Sequence, residues 1–178
     1  MEASGRFRSA DLTGSFRESA VPILVESFVG IYRWHAKRTL RRVPTVRGAW
    51  EGEGLVGVSM LEELAPGVGY VYYVAVRPAA RHRGVGGFLL DDALERFRAL
   101  RFEIAYAAVE ADNEGSRRLF SSRGFRIVEA DEPNFREGGL GAWGLRSKMV
   151  LVSGEVLLGM RINPPGTSVE LEGPPPGG

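Results

Sequence analysis

One stretch in the middle of the chain constrains its fold more than any other. A buried strand runs through a proline into a glycine-rich turn and then into an amphipathic helix. Residues 70–76 (Tyr-Val-Tyr-Tyr-Val-Ala-Val) are aromatic, β-branched or small and carry no charge. That is the pattern of a central strand covered on both faces. Pro78 closes it, and Arg81, His82, Arg83, Gly84, Val85, Gly86 and Gly87 follow. Leu89, Leu90, Ala93, Leu94, Phe97 and Leu100 then recur on one helical face. The glycines remove Cβ atoms where the helix begins. Its unbonded N–H groups and the positive end of its dipole are therefore open to an anion, with Arg81 and Arg83 beside them. The turn reads as a cradle for a pyrophosphate. It is not a P-loop, which needs a lysine here. Nor is it a dinucleotide fingerprint, whose third glycine or alanine would stand where Leu89 does.

The rest of the chain supplies a sheet for that unit. Residues 5–12 predict a strand, and 16–40 predict helix, interrupted at Pro22 and Gly30. Residues 46–51 and 55–64 predict a hairpin around Gly52 and Gly54. A strand follows over 102–110, then a short helix over 114–122 that Asp112 and Asn113 open and Gly124 closes. Residues 125–129 and 146–152 predict strands, separated by a polar loop over 131–141. The order describes an α/β fold, a mixed central sheet of about seven strands flanked by helices. A chain of 178 residues allows one domain, placed over 1–152. In the extension 153–178, 11 of 26 residues are Gly or Pro, and disorder is expected from about 164. Residues 155–162 can form an extra strand or swap onto a partner, which leaves a homodimer open.

Composition narrows the function. With 23 basic and 22 acidic residues the formal charge is +1, so no general attraction to nucleic acid or anionic membrane is expected. No apolar run is long enough to span a bilayer, and the first ten residues show no secretory pattern. Cysteine is absent and only two histidines occur, so no metal site is expected. A cytoplasmic protein is the expectation. Arg33, Lys37, Arg38, Arg41, Arg42 and Arg47 form one basic cluster, read as a solvated helix face, with a patch for an acidic substrate or nucleic acid as the alternative.

The residues Val74-Ala75-Val76-Arg77-Pro78, followed by Arg81, Gly84 and Gly86, resemble the GNAT superfamily of acetyl-CoA-dependent N-acetyltransferases. So do Asn113, Ser116, Leu119 and Gly124-Phe125, which are similar to the family's second block. The resemblance covers about residues 5–152. It implies the GNAT fold, with acetyl-CoA as cosubstrate and a small-molecule or peptide amine as acceptor. It implies that the strands over 70–76 and 102–110 splay apart around pantetheine, which pairs with Val74 and Val76. Arg81, His82, Arg83, Gly84, Val85, Gly86 and Gly87 would hold the pyrophosphate, with Asn113, Ser116 and Phe120 nearby. An N–H near Val74 would face the developing oxyanion.

Two family side chains are missing. Many relatives place a Tyr acid seven residues after the Asn, where this chain has Phe120. A branch acting on protein N-termini places a Glu five residues before the Asn, where this chain has Ala108. Glu110 shares a strand face with Ala108, and Tyr70 and Tyr72 lie on the opposite strand. These three are the candidate catalytic residues. The alternative is a CoA-binding sensor or interaction module without turnover. By the same resemblance the acceptor pocket would be lined by residues 21–42 and 131–141, with Trp34, Phe135, Trp143 and the basic cluster as candidates.

Overall fold

A computed structural model describes residues 6–128, 149 and 154–162. A short strand, β1 (Arg8–Asp11), leads through a 3-10 turn (Gly14–Ala20) into α1 (Val21–Ser27) and α2 (Gly30–Arg42). Pro22 sits in the first turn of α1, where its missing N–H costs nothing. Gly30, at φ +53°, opens α2. Both expected interruptions thus separate helical pieces.

β2 (Thr45–Glu51), β3 (Gly54–Ala65) and β4 (Val68–Val76) form a meander. Then come α3 (Val85–Ala99), β5 (Ile104–Glu110), α4 (Glu114–Ser121), β6 (Arg126–Ile127) and β7 (Glu155–Arg161). Among the described residues, seven strands lie in the order β1-β2-β3-β4-β5-β7-β6. β4 and β5 run parallel, and the other neighbours are antiparallel. Leu90, Leu94 and Phe97 of α3 pack on Val71 and Ala105 on one face. Leu24 of α1 and Leu40 of α2 pack on Val58 and Ala75 on the other. The α/β sheet with helices on both faces is as expected.

The extra strand open to residues 155–162 is formed within the chain. β7 pairs with β5 along its whole length and carries β6 on its far side. The strand expected over 146–152 and the loop over 131–141 lie outside the described residues, as does the segment from 164. Met149, the one described residue of the former, is helical.

Arg47 leaves the basic cluster. It is on β2, and its guanidinium bridges both oxygens of Asp92 on α3 at 2.7 and 2.8 Å. It also reaches Asp11 at 3.1 Å and Ser9 at 2.9 Å. Burial pushes the Asp92 carboxyl up, but hydrogen bonds from Arg47 and Ser9 outweigh it and hold the carboxyl below its usual range. A depressed carboxyl contributes stability above its unfolded pKa of about 3.9 and loses it as pH falls through the folded value. Arg47→Met should therefore cost about 1–3 kcal/mol at pH 7, because it leaves a half-buried carboxylate without its hydrogen-bond donor. Denaturant melts should show the penalty shrinking towards pH 3, as protonation relieves Asp92. A penalty that does not change with pH would contradict this.

The surface of α2 is charged against itself. Arg33–Lys37, Lys37–Arg41 and Arg38–Arg42 are like charges four residues apart, each destabilising by about 0.2–0.5 kcal/mol. Arg41 and Arg42 offset part of this by facing the negative end of the helix dipole.

Candidate active site

The site begins with a register fault. Met60 pairs with Tyr73 and Leu61 with Val71, so Tyr72 is an extra residue on β4. Such a bulge bends the strand that carries it. Pairing with β5 stops at the same point: the ladder runs from Val68↔Ile104 to Val71↔Ala107 and no further. Beyond it β4 keeps β3, while β5 follows β7 from Ala108↔Leu157 to Glu110↔Glu155. The expected splay is present, and it starts at the bulge.

The open edge of β4 offers backbone groups. The Arg77 N–H bonds the Val56 carbonyl at 2.9 Å. By the two-residue alternation of a strand, the N–H groups of Val74 and Val76 point the other way, towards the gap. The Val76 carbonyl also faces out, accepting from Ser27 Oγ and Arg81 Nε, each at 3.3 Å.

The glycine turn stands at one end of that gap. Gly84 adopts φ +90°, and His82 φ +59°. The first helical bond of α3 runs from the Phe88 N–H to the Gly84 carbonyl at 2.9 Å, so the N–H groups of Val85, Gly86 and Gly87 have no partner within the helix. Val85 is buried and anchors the turn. A Cβ at Gly86 would sit 3.4 Å from Leu119 and 3.9 Å from Val76, between the two walls of the gap. Arg81, His82 and Arg83 are exposed, and Arg83 holds Glu51 at 2.6 Å. An elongated, anionic ligand fits this combination of open strand edge, missing Cβ atoms and unbonded N–H groups.

Asn113 caps α4, its Oδ1 accepting the Ser116 N–H at 3.0 Å. Both line a cavity of about 860 Å³ that fills the gap and extends under α2. Phe120 also reaches it, although its ring is 5% exposed and meets Phe125 edge-on at 5.0 Å. Glu110, Tyr70 and Tyr72 line the same cavity, so the structure brings the three catalytic candidates together. The Tyr70 hydroxyl donates to the Met149 carbonyl at 3.2 Å and is buried. Tyr72 lies beside Glu62, whose charge helps raise its phenol. Trp34 and His35 are at the rim, with ring centroids 4.9 Å apart. Phe135 and Trp143 lie outside the described residues.

Four wall residues lack a sequence signal of their own: Tyr32, Glu62, Tyr73 and Glu155. Tyr32 sits at core spacing in a helix, yet its hydroxyl lies close enough to Glu110 to feel that carboxylate. Burial first, then the charges of Glu155 and Glu110, push its phenol up to about 12. Burial and Glu155 push Tyr73 up to about 12 as well. Tyr70 and Tyr72 are also raised, chiefly by burial. All four phenols are thus hydrogen-bond donors at neutral pH.

Comparison with known proteins agrees with this geometry. Mycothiol acetyltransferase of Corynebacterium diphtheriae is 31% identical over 128 residues, 71% of this chain and 36% of that one. The chain spans between 22% and 36% of the length of the mycothiol acetyltransferases it matches. N-alpha-acetyltransferase RimI of Mycobacterium tuberculosis is 26% identical over 142 residues, covering 76% of this chain and 88% of that one. The crystal structure of the ribosomal-protein-S18-alanine N-acetyltransferase from Escherichia coli shares the fold, with a TM-score of 0.67 at 14% identity over 92% of this chain and 98% of that one. The sequence pattern of the acetyltransferase (GNAT) family matches residues 12–125, which hold the bulged strand, the glycine turn and the cap of α4. With more than half its length matched, the chain belongs to the GNAT acetyltransferase family.

Proposed function

We propose that the chain transfers an acetyl group from acetyl-CoA to an amine, and that an α-amine suits it best. The observation that carries this is the gap: a strand edge bent open at Tyr72, with an anion-accepting helix start at one end and carboxylates at the other. Bound acetyl-CoA would supply a thioester carbonyl for direct attack by the amine: the new C–N bond replaces the C–S bond, and CoA leaves as a thiolate that takes its proton from water. The N–H groups of Val74 and Val76 would hold the pantetheine arm, and Arg81 to Gly87 the pyrophosphate. The N–H nearest the carbonyl oxygen would stabilise charge developing there. Tyr32 would orient Glu110, which takes the proton from the incoming ammonium.

Amine basicity favours an α-amino acceptor. A lysine amine, pKa about 10.4, is about one-thousandth neutral near pH 7.4, whereas an α-amine of pKa about 8 is roughly a fifth neutral. With no strong acid or base of the usual kind at Phe120 and Ala108, the weaker base needs less help. The N-alpha-acetyltransferase relative supports the same choice.

The test is release of CoA thiol across α-amino peptides, lysine derivatives, polyamines and aminoglycosides. The rate should rise with pH through one ionisation. It should show no descending limb below about pH 10, because Tyr32 and Tyr73 stay protonated to about 12. Glu110→Gln should lower the rate about tenfold or more. A descending limb near pH 8 would contradict this assignment of the proton groups. A second reading, CoA binding without turnover, is favoured by Phe120 alone, whose ring offers no proton donor. Saturable CoA binding with no thiol released by any amine would establish it.

A further inference from the structure

α2 carries five basic side chains and no acidic one. The Arg33 guanidinium turns inward to the Phe28 carbonyl at 2.8 Å. Lys37, Arg38, Arg41 and Arg42 surround a hollow of about 430 Å³, with Trp34 at its edge. Elsewhere Arg47, Arg77, Arg83, Arg118 and Arg123 each meet a carboxylate. Among the described residues, no carboxylate forms an ion pair with these four. The helix thus keeps a self-repelling face that one or two surface glutamates would relieve.

That face is not remote from the chemistry. Trp34, Arg38 and Arg42 border both the hollow and the active-site cavity. Trp34 is 55% exposed, and the Arg38 guanidinium lies 5.5 Å from its ring centroid. Deeper in the cavity the charge reverses, at Glu62, Glu110 and Glu155. A ligand matching both regions carries a cation at its tip and anions along its body. A nucleic acid matches the hollow, but its phosphates would be repelled by the glutamates. An extended polypeptide advances about 3.3 Å per residue, so its second to fifth residues span the two turns of α2 that bear the cluster.

We propose that the acceptor is an acidic polypeptide whose free α-amino group enters the cavity while carboxylates just behind it lie on Trp34, Lys37, Arg38 and Arg41. This rests on the acetyl-transfer reading above, and the surface can be tested apart from it.

The test uses three fluorescent peptides with the same first residue, followed by four acidic, four neutral or four basic residues. Anisotropy in the presence of CoA reads binding, and thiol release with acetyl-CoA reads turnover. The acidic peptide should bind about tenfold tighter than the neutral one at low salt, with the gap closing at 0.5 M salt. Its kcat/KM should follow the same order. The double substitution Lys37→Glu with Arg38→Glu should reverse that order. The melting temperature of this variant should hold or rise, because each new carboxylate stands four residues before a retained arginine, Arg41 or Arg42. Equal affinity for the three peptides would overturn the proposal. So would displacement of the acidic peptide by a uridine 12-mer that binds more tightly. The expected binding order with no thiol release from any amine would keep the surface and overturn the acetyl-transfer reading.

Discussion

A chain ending at Gly154 should fail to melt cooperatively. It lacks β7, whose register with β5 runs from Ile104↔Arg161 to Glu110↔Glu155. Removing it leaves the edge of β5 without ladder partners and uncovers the surface under Leu157 and Leu158, which are 6% and 4% exposed. Each buried leucine contributes about 1.5–3 kcal/mol and each ladder bond about 0.5–1.5 kcal/mol. The sum is on the order of the whole stability of a domain, about 5–15 kcal/mol. β6 would be lost too, since β7 is its neighbour in the sheet. Gly159→Val tests the same strand more gently. A side chain there would meet Val128 at 2.7 Å and Tyr106 at 2.9 Å, so a clear drop in melting temperature is expected. Calorimetry showing a normal transition for the shortened chain would mean β7 is dispensable.

The second large effect concerns the glycine turn. Gly86→Asp should weaken CoA binding about a hundredfold, equivalent to about 2.7 kcal/mol, while leaving the fold intact. The new Cβ finds ordinary contact distances to Leu119 and Val76, so the backbone need not move. A carboxylate in the first turn of α3 even suits the helix dipole. The same carboxylate occupies the gap and repels phosphate, so stability and affinity should move apart. Gly84→Ala should do the reverse. Nothing lies within 4 Å of its Cβ, but φ +90° is costly for a residue with a side chain. It should lower stability by about 1 kcal/mol with a smaller effect on binding. Titration calorimetry with CoA, paired with thermal melts, separates the two. Unchanged affinity in Gly86→Asp would remove the turn from the binding site.

The part of the site that can be read in the sequence is the part made by local rules. The uncharged run of β4, the glycines before α3 and the Asn113 cap each follow from propensity or capping, and each stands where expected. What escapes depends on contacts made elsewhere. The bulge at Tyr72 is a mismatch between two strands and has no signature in either alone. Tyr32 has the spacing of a core residue, and periodicity cannot say that its hydroxyl ends beside Glu110. Arg47 is close in sequence to the α2 cluster, but strand geometry turns it to Asp92 on the opposite layer. Glu155 opens a strand set among glycines and prolines, so its neighbours mask it, though it faces Glu110 across the ladder.

The strand order also has a consequence during synthesis. β7 leaves the ribosome after β6 but must insert between β5 and β6. Until then the mostly apolar strand Ile104–Glu110 presents an open edge, and among the described residues β6 has no neighbour to join. Translation from Ile127 to Glu155 adds about one to six seconds at ordinary elongation rates. The nascent chain carries a template for unwanted strand pairing throughout that interval. The hazard this topology brings is therefore one of timing, set by how fast the last strand arrives and not by how firmly the finished sheet holds.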